Sequence, residues 1–162
     1  MPLLLIPLVF LVVFVGGLFL LSRLLRGLRV KGRTASEALT QGEAIVCIDE
    51  QANFFGVETK GAAQARGNGC LTATDQHLVF VQWVPRRDLV IRRTRIVAVE
   101  RTRWHLGKSV GRDLLKVRFL NEEGQDDAVA FSVADLPAWE RALSSTTAQL
   151  TAAAVPAPVE MT

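Results

Sequence analysis

The sequence predicts a mainly β domain of about seven antiparallel strands, closed at one end by a C-terminal helix and carried on an N-terminal transmembrane helix. Three observations lead there. Residues 44–133 divide into short β-rich runs separated by turn residues, with no stretch of helical period among them. The connections between the runs are too short for parallel crossovers, so neighbouring strands must run antiparallel. From Pro2 to Leu21 the chain holds 20 consecutive residues without a charged or hydrogen-bonding side chain.

As a helix, that apolar run would be roughly 30 Å long, the thickness of a bilayer core. Pro7 and the pair Gly16-Gly17 are tolerated there because lipid penalises every non-helical alternative. A cleaved signal would need a basic start and a shorter apolar stretch. Residues 1–22 are therefore assigned as a transmembrane helix. The positive charge near it, Arg23, Arg26, Arg29, Lys31 and Arg33, lies wholly on its C-terminal side. The positive-inside rule then places the protein in the cell membrane as a single-pass chain, N-terminus outside and domain cytoplasmic. These five residues form a juxtamembrane anchor that also attracts anionic lipid.

Residues 23–42 read as this basic segment followed by a short polar, flexible link, which keeps the domain close to the bilayer. Beyond it, nine runs have β character: 44–48, 53–58, 62–66, 70–74, 77–84, 88–92, 95–104, 114–120 and 127–133. Turn chemistry divides them at Gly67-Asn68-Gly69, Thr74-Asp75-Gln76, Pro85 and Asn121 to Gly124. Some runs must merge or be loops to leave about seven strands. One helix follows, with Asp135 placed to cap it, Pro137 in its first turn, and Trp139, Ala142, Leu143, Thr146 and Leu150 at helical spacing. The folded unit is assigned to 43–150, and the Ala- and Pro-rich residues 151–162 read as a disordered tail.

Charge separates the same way. The chain has 19 Lys and Arg against 16 Asp and Glu; five of the basic residues lie in 23–33, which leaves 14 against 16 elsewhere. The basic pI therefore reports topology more than a polyanionic ligand. The densest remaining charge is Arg86, Arg87, Arg92, Arg93, Arg95, Arg101 and Arg103. If the runs around residue 94 pair as a hairpin, Arg93, Arg95, Arg101 and Arg103 share one parity and face outward as a basic strip. Together with Arg86 and Arg87 that strip would meet anionic phospholipid or an acidic protein partner. Nucleic acid fits it less well, because no Tyr or Phe is interleaved for stacking, although Trp83 and Trp104 flank it.

No catalytic, cofactor or metal motif emerges. Cys47, Cys70, His77 and His105 lack the close spacing of zinc ligands, and both cysteines fall in apolar runs expected to bury reduced thiols. Gly107-Lys108-Ser109 lacks the leading glycine of a phosphate-binding loop, since position 102 is Thr. Glu122, Glu123, Asp126 and Asp127 read as a solvated hairpin tip.

Several segments also carry a resemblance: Gly42-Glu43, the stretch Leu71 to Val81, Ile96 to Glu100, Leu114 to Phe119, and Asp127 to Leu143 with Trp139 in the last helix. Together they look like the bacterial pleckstrin-homology-like domains of the GRAM type. The resemblance covers residues 42–145. It implies a partly open seven-stranded barrel with one helix over an end, binding lipids or proteins without catalysis. Phosphoinositide-binding members place a Lys and then an Arg-X-Arg pair around the first hairpin; here Lys60 and Arg66 stand nearest, and position 68 is Asn. The function expected from all this is a membrane-anchored, non-catalytic binding module for a protein partner or anionic lipid. The alternative is a structural subunit of a larger membrane complex that packs through its transmembrane helix.

Overall fold

A 35-residue helix, α1 (Leu5–Leu39), opens the chain in this computed structural model, which describes residues 5–153 and the side chains of residues 11–144. Residues 1–4 of the expected transmembrane helix and 154–162 of the expected tail lie outside the described residues. Among the described residues one helix is long and apolar enough to cross a membrane, and its apolar side chains from Leu11 to Leu21 are exposed. The helix does not end with the apolar run. The polar stretch expected to be a flexible link is helical to Leu39, because Ser36 is buried, Ala35 is half-buried and Glu37 is paired, while Thr34 and Ala38 stay exposed. Ser36 is fully buried and donates to Thr72 at 2.7 Å, while Arg33 pairs with Glu37 at 2.8 Å and Glu50 at 3.1 Å.

Seven strands follow: β1 (Ile45–Val57), β2 (Gly67–Thr74), β3 (His77–Gln82), β4 (Arg87–Arg92), β5 (Ile96–Thr102), β6 (Leu114–Leu120) and β7 (Asp126–Ser132). They form one open antiparallel sheet in the order β4-β3-β2-β1-β7-β6-β5. The runs at 44–48 and 53–58 have merged into β1, and the run at 62–66 is loop. Strand β1 carries both halves of the sheet: residues 45–54 pair with β2 and 53–57 with β7. Register shifts between Asp49 and Ala52 and between Phe54 and Gly56 let one strand turn from one half to the other, the bending that β-bulges supply.

The concave face holds the core. Phe54, Phe80 and Phe131, from β1, β3 and β7, meet with ring centroids 5.2–6.0 Å apart, surrounded by Leu71, Leu78, Leu115, Val117 and Val129. Helix α2 (Leu136–Ala153) covers the open side with Trp139 and Leu143, each 1% exposed. Asp135 caps it as expected, its Oδ1 accepting from the Ala138 N–H at 2.9 Å. The helix includes residues 151–153, which the composition had assigned to the tail.

The convex face of β2 and β3 is buried too. Cys70, Thr72, Val79 and Val81 alternate with the core residues, yet each is at most 1% exposed, because the end of α1 lies across them. A Cβ on Gly32 would stand 2.7 Å from Trp83 Nε1 and 3.5 Å from Cys70 Cβ, so only glycine permits this approach.

Candidate membrane-facing site

The expected arginine strip is not formed. Strands β4 and β5 are not a hairpin; they are the two opposite edges of the sheet, joined by a single 3-10 turn at Arg93–Arg95. That turn breaks the parity on which the strip depended.

Arg93 points inward and is 3% exposed. Its guanidinium donates to the carbonyls of Thr74, Ala142 and Leu143, tying the β2–β3 turn to α2, and burial pushes its pKa below the ordinary arginine value while Asp75 opposes the shift. Arg95 donates to the Asn121 carbonyl at 3.1 Å. Arg101 forms a two-pronged pair with Glu140 on α2, both contacts at 2.5 Å, and Arg103 pairs with Asp113 at 3.0 Å. These four side chains are engaged within the fold; Arg93 is the buried one, bonded through both terminal nitrogens while its Nε has no partner. Arg86 and Arg87 remain exposed at the β3–β4 turn, with Arg86 at 3.6 Å from Asp88.

That turn is where charge and apolar surface meet. Helix α1 runs antiparallel to β3: Ser36 bonds to Thr72, which pairs with Val79, whereas Gly32 lies against Trp83, four residues further along the chain and just past the end of β3. The N-terminal direction of α1, toward the apolar span, is therefore also the direction in which β3 runs into Val84, Pro85, Arg86 and Arg87. Val84 is 67% exposed. Between α1 and this turn lies a cleft of about 120 Å³ lined by Leu28, Lys31, Gly32, Val81, Gln82, Trp83 and Arg86. On the same stretch of helix Arg23 lies over the Phe19 ring at 4.9 Å, and Arg26 is exposed. In the sequence Lys31 and Arg86 fall in separate groups, the juxtamembrane segment and the arginine-rich run. The signal that joins them was present in the spacing of Leu28, Gly32, Ser36 and Leu39, a small-and-apolar stripe at helical period that continues past the span.

Of the positions around the first hairpin, Arg66 and Asn68 are committed locally, whereas Lys60 is exposed and makes no hydrogen bond or ion pair among the described residues. Arg66 lies over the Phe55 ring at 4.5 Å and donates to Asn53, which in turn donates to Asn68 at 2.6 Å. Lys108 reaches across to the carbonyls of Gln64 and Phe55 at 2.6 and 3.3 Å. Among the described residues no three His, Cys, Asp or Glu side chains converge on a point. Asp127 accepts from both the backbone and the hydroxyl of Thr59, and Asp126 pairs with Arg118, so the acidic turn is divided between separate partners. Burial pushes the pKa of both Cys47 and Cys70 up, which keeps them as thiols.

His105 is buried, its Nε2 donating to the Gly56 carbonyl at 2.9 Å with Glu58 at 3.8 Å from Nδ1. Burial lowers its pKa more than the Gly56 carbonyl and Glu58 raise it, and Lys116 and Lys108 act in the same direction as burial. The unfolded chain therefore binds this proton more readily than the folded one. Stability from this site is complete above about pH 6.5, the ordinary histidine value, and falls as pH drops below it. Thermal unfolding between pH 5 and 7.5 should show a shallower pH dependence for His105→Gln than for the unaltered chain; parallel curves would refute the assignment.

The fold places the chain in a definite class: an open seven-stranded antiparallel sheet with a helix over its concave side. No family model matches the sequence, and no curated protein does. The fold is similar to a chain of the 8S snRNP assembly intermediate, at 8% identity and a TM-score of 0.51, covering 74% of this chain and 90% of that one. It is also similar to the C-terminal domain of an unknown protein from Leishmania infantum, at 14% identity and a TM-score of 0.51, covering 72% of this chain and 96% of that one.

Proposed function

We propose that this protein is a membrane-anchored, non-catalytic binding module of pleckstrin-homology-like, GRAM-type architecture that reads anionic lipid at the cytoplasmic face of the cell membrane. One observation carries the reading: α1 continues without a break from the apolar span into the sheet, so the domain is held against the bilayer by a packed helix rather than trailed on a loose tether. The exposed basic and apolar groups of the β3–β4 turn then sit on the side nearest the span. The seven-strand order, the helix over the concave face and Trp139 within it support the architectural part. The positive-inside distribution of Arg23, Arg26, Arg29, Lys31 and Arg33 supports the orientation.

Hydrogen exchange on the full chain in nanodiscs tests this. In phosphatidylcholine containing about one third phosphatidylglycerol, amides of residues 83–88 should exchange more slowly than in pure phosphatidylcholine, and the difference should shrink as salt rises, because exposed charges are screened within about 10 Å at 0.1 M. Identical exchange in both membranes would dismiss lipid reading.

A further inference from the structure

Resting on that reading, we infer that the cleft between α1 and the β3–β4 turn seats the phosphate of one anionic phospholipid, with the acyl chains lying along α1 toward the bilayer.

Depth, charge and size agree on this occupant. Leu28 is seven residues beyond Leu21, about 10 Å along a helix, and the headgroup layer extends roughly 5–8 Å from the apolar core. The cleft therefore opens at the outer edge of that layer. Lys31 and the outer wall of the turn can reach down into it, as long basic side chains do. Lys31 and Arg86 are the charged residues of the lining, and no carboxylate is among them. Lys31 has no hydrogen-bond or ion-pair partner among the described residues, and the Asp88 contact of Arg86 is long at 3.6 Å. Three buried donors among the described residues lack an acceptor, and one of them, Trp83 Nε1, belongs to a residue of the cleft lining.

The volume, about 120 Å³, is well below the roughly 300 Å³ at which a pocket encloses a whole small molecule, so it suits a headgroup fragment whose remainder lies elsewhere. That remainder has a path. Leu21, Leu24, Leu25 and Leu28 share one face of α1 with Gly32, and the first three are exposed. A lipid seated here touches helix and domain at once, which makes it a clamp on their relative position.

The test is native mass spectrometry of the full chain released from nanodiscs of phosphatidylcholine with one third phosphatidylglycerol. The unaltered chain should retain one phosphatidylglycerol. Lys31→Ala with Arg86→Ala should weaken that preference over phosphatidylcholine by about thirtyfold, two surface charges at their usual worth, while Arg103→Ala on the β5 edge leaves it unchanged. Thermal unfolding of the double variant should match the parent, since both side chains are exposed. Millimolar inorganic phosphate should not displace the lipid, because the acyl chains contribute to its seating. Equal retention by the double variant, equal loss in Arg103→Ala, or displacement by phosphate would each overturn the cleft assignment. If anionic nanodiscs still slow exchange at residues 83–88 in that event, lipid reading survives and only its place is wrong.

Discussion

A chain that begins at Gln41 should fail to yield a stable soluble domain, whereas one that begins at Ser22 should fold. The reason is the convex face of β2 and β3. Val79, Val81 and Cys70 are each at most 1% exposed, and the end of α1 is what covers them. Uncovering side chains of this size costs about 1.5–3 kcal/mol apiece, on the order of 5 kcal/mol together, against a typical domain stability of about 5–15 kcal/mol. The buried Ser36–Thr72 hydrogen bond and the Arg33–Glu50 pair are lost with them. Size-exclusion chromatography and urea unfolding of the two chains measure the effect. Coincident urea midpoints would show that α1 is an anchor and nothing more to the domain.

Replacing Arg93 with alanine should cost on the order of 3 kcal/mol, the largest effect expected of any arginine here. Hydrogen bonds from a charged donor contribute about 1.5–3 kcal/mol, and this guanidinium makes three, though the Ala142 and Leu143 carbonyls belong to a helix and the contributions do not add fully. Arg93→Lys should rescue only part, since an ammonium carries its donors on one nitrogen and lacks the planar spread by which the two terminal nitrogens of Arg93 reach separate elements. Arg103→Ala, which breaks an exposed pair, should change stability by less than about 1 kcal/mol. Urea unfolding of the full chain in detergent separates these cases. If Arg93→Ala and Arg103→Ala unfold at the same urea concentration, the pinning of α2 is wrong. The same result decides how a loss of binding in an Arg93 variant is to be read: as a loss of fold, not of a contact.

Much of the β architecture was legible because period and turn chemistry are local. The turns at Asp75 and at Asn121 to Gly124 stand where the sequence put them, and Asp135 and Trp139 act as cap and core. The merging of two runs into β1 was not legible at the level of pairs, since the gap between the runs 44–48 and 53–58 is a register shift between Asp49 and Ala52 inside one strand. The arginine strip failed for a related reason. Alternation assigns faces only within a strand or a true hairpin, and a three-residue 3-10 turn at Arg93 both ended that alternation and sent the chain to the opposite edge of the sheet.

By itself, the sequence determined the apolar span, the side on which its positive charge lies, the number of strands and the closing helix. Each follows from composition or periodicity over neighbouring residues, where the governing energies are transfer from water and local backbone preference. Tertiary structure alone decided which arginines are structural, that the presumed link is a helix covering a second apolar face, and that Lys31 and Arg86 share one cleft. Those outcomes depend on contacts between residues far apart in the chain. Val79 is buried only because Ser36 and Gly32 allow α1 to approach, and no window of sequence around Val79 contains that information.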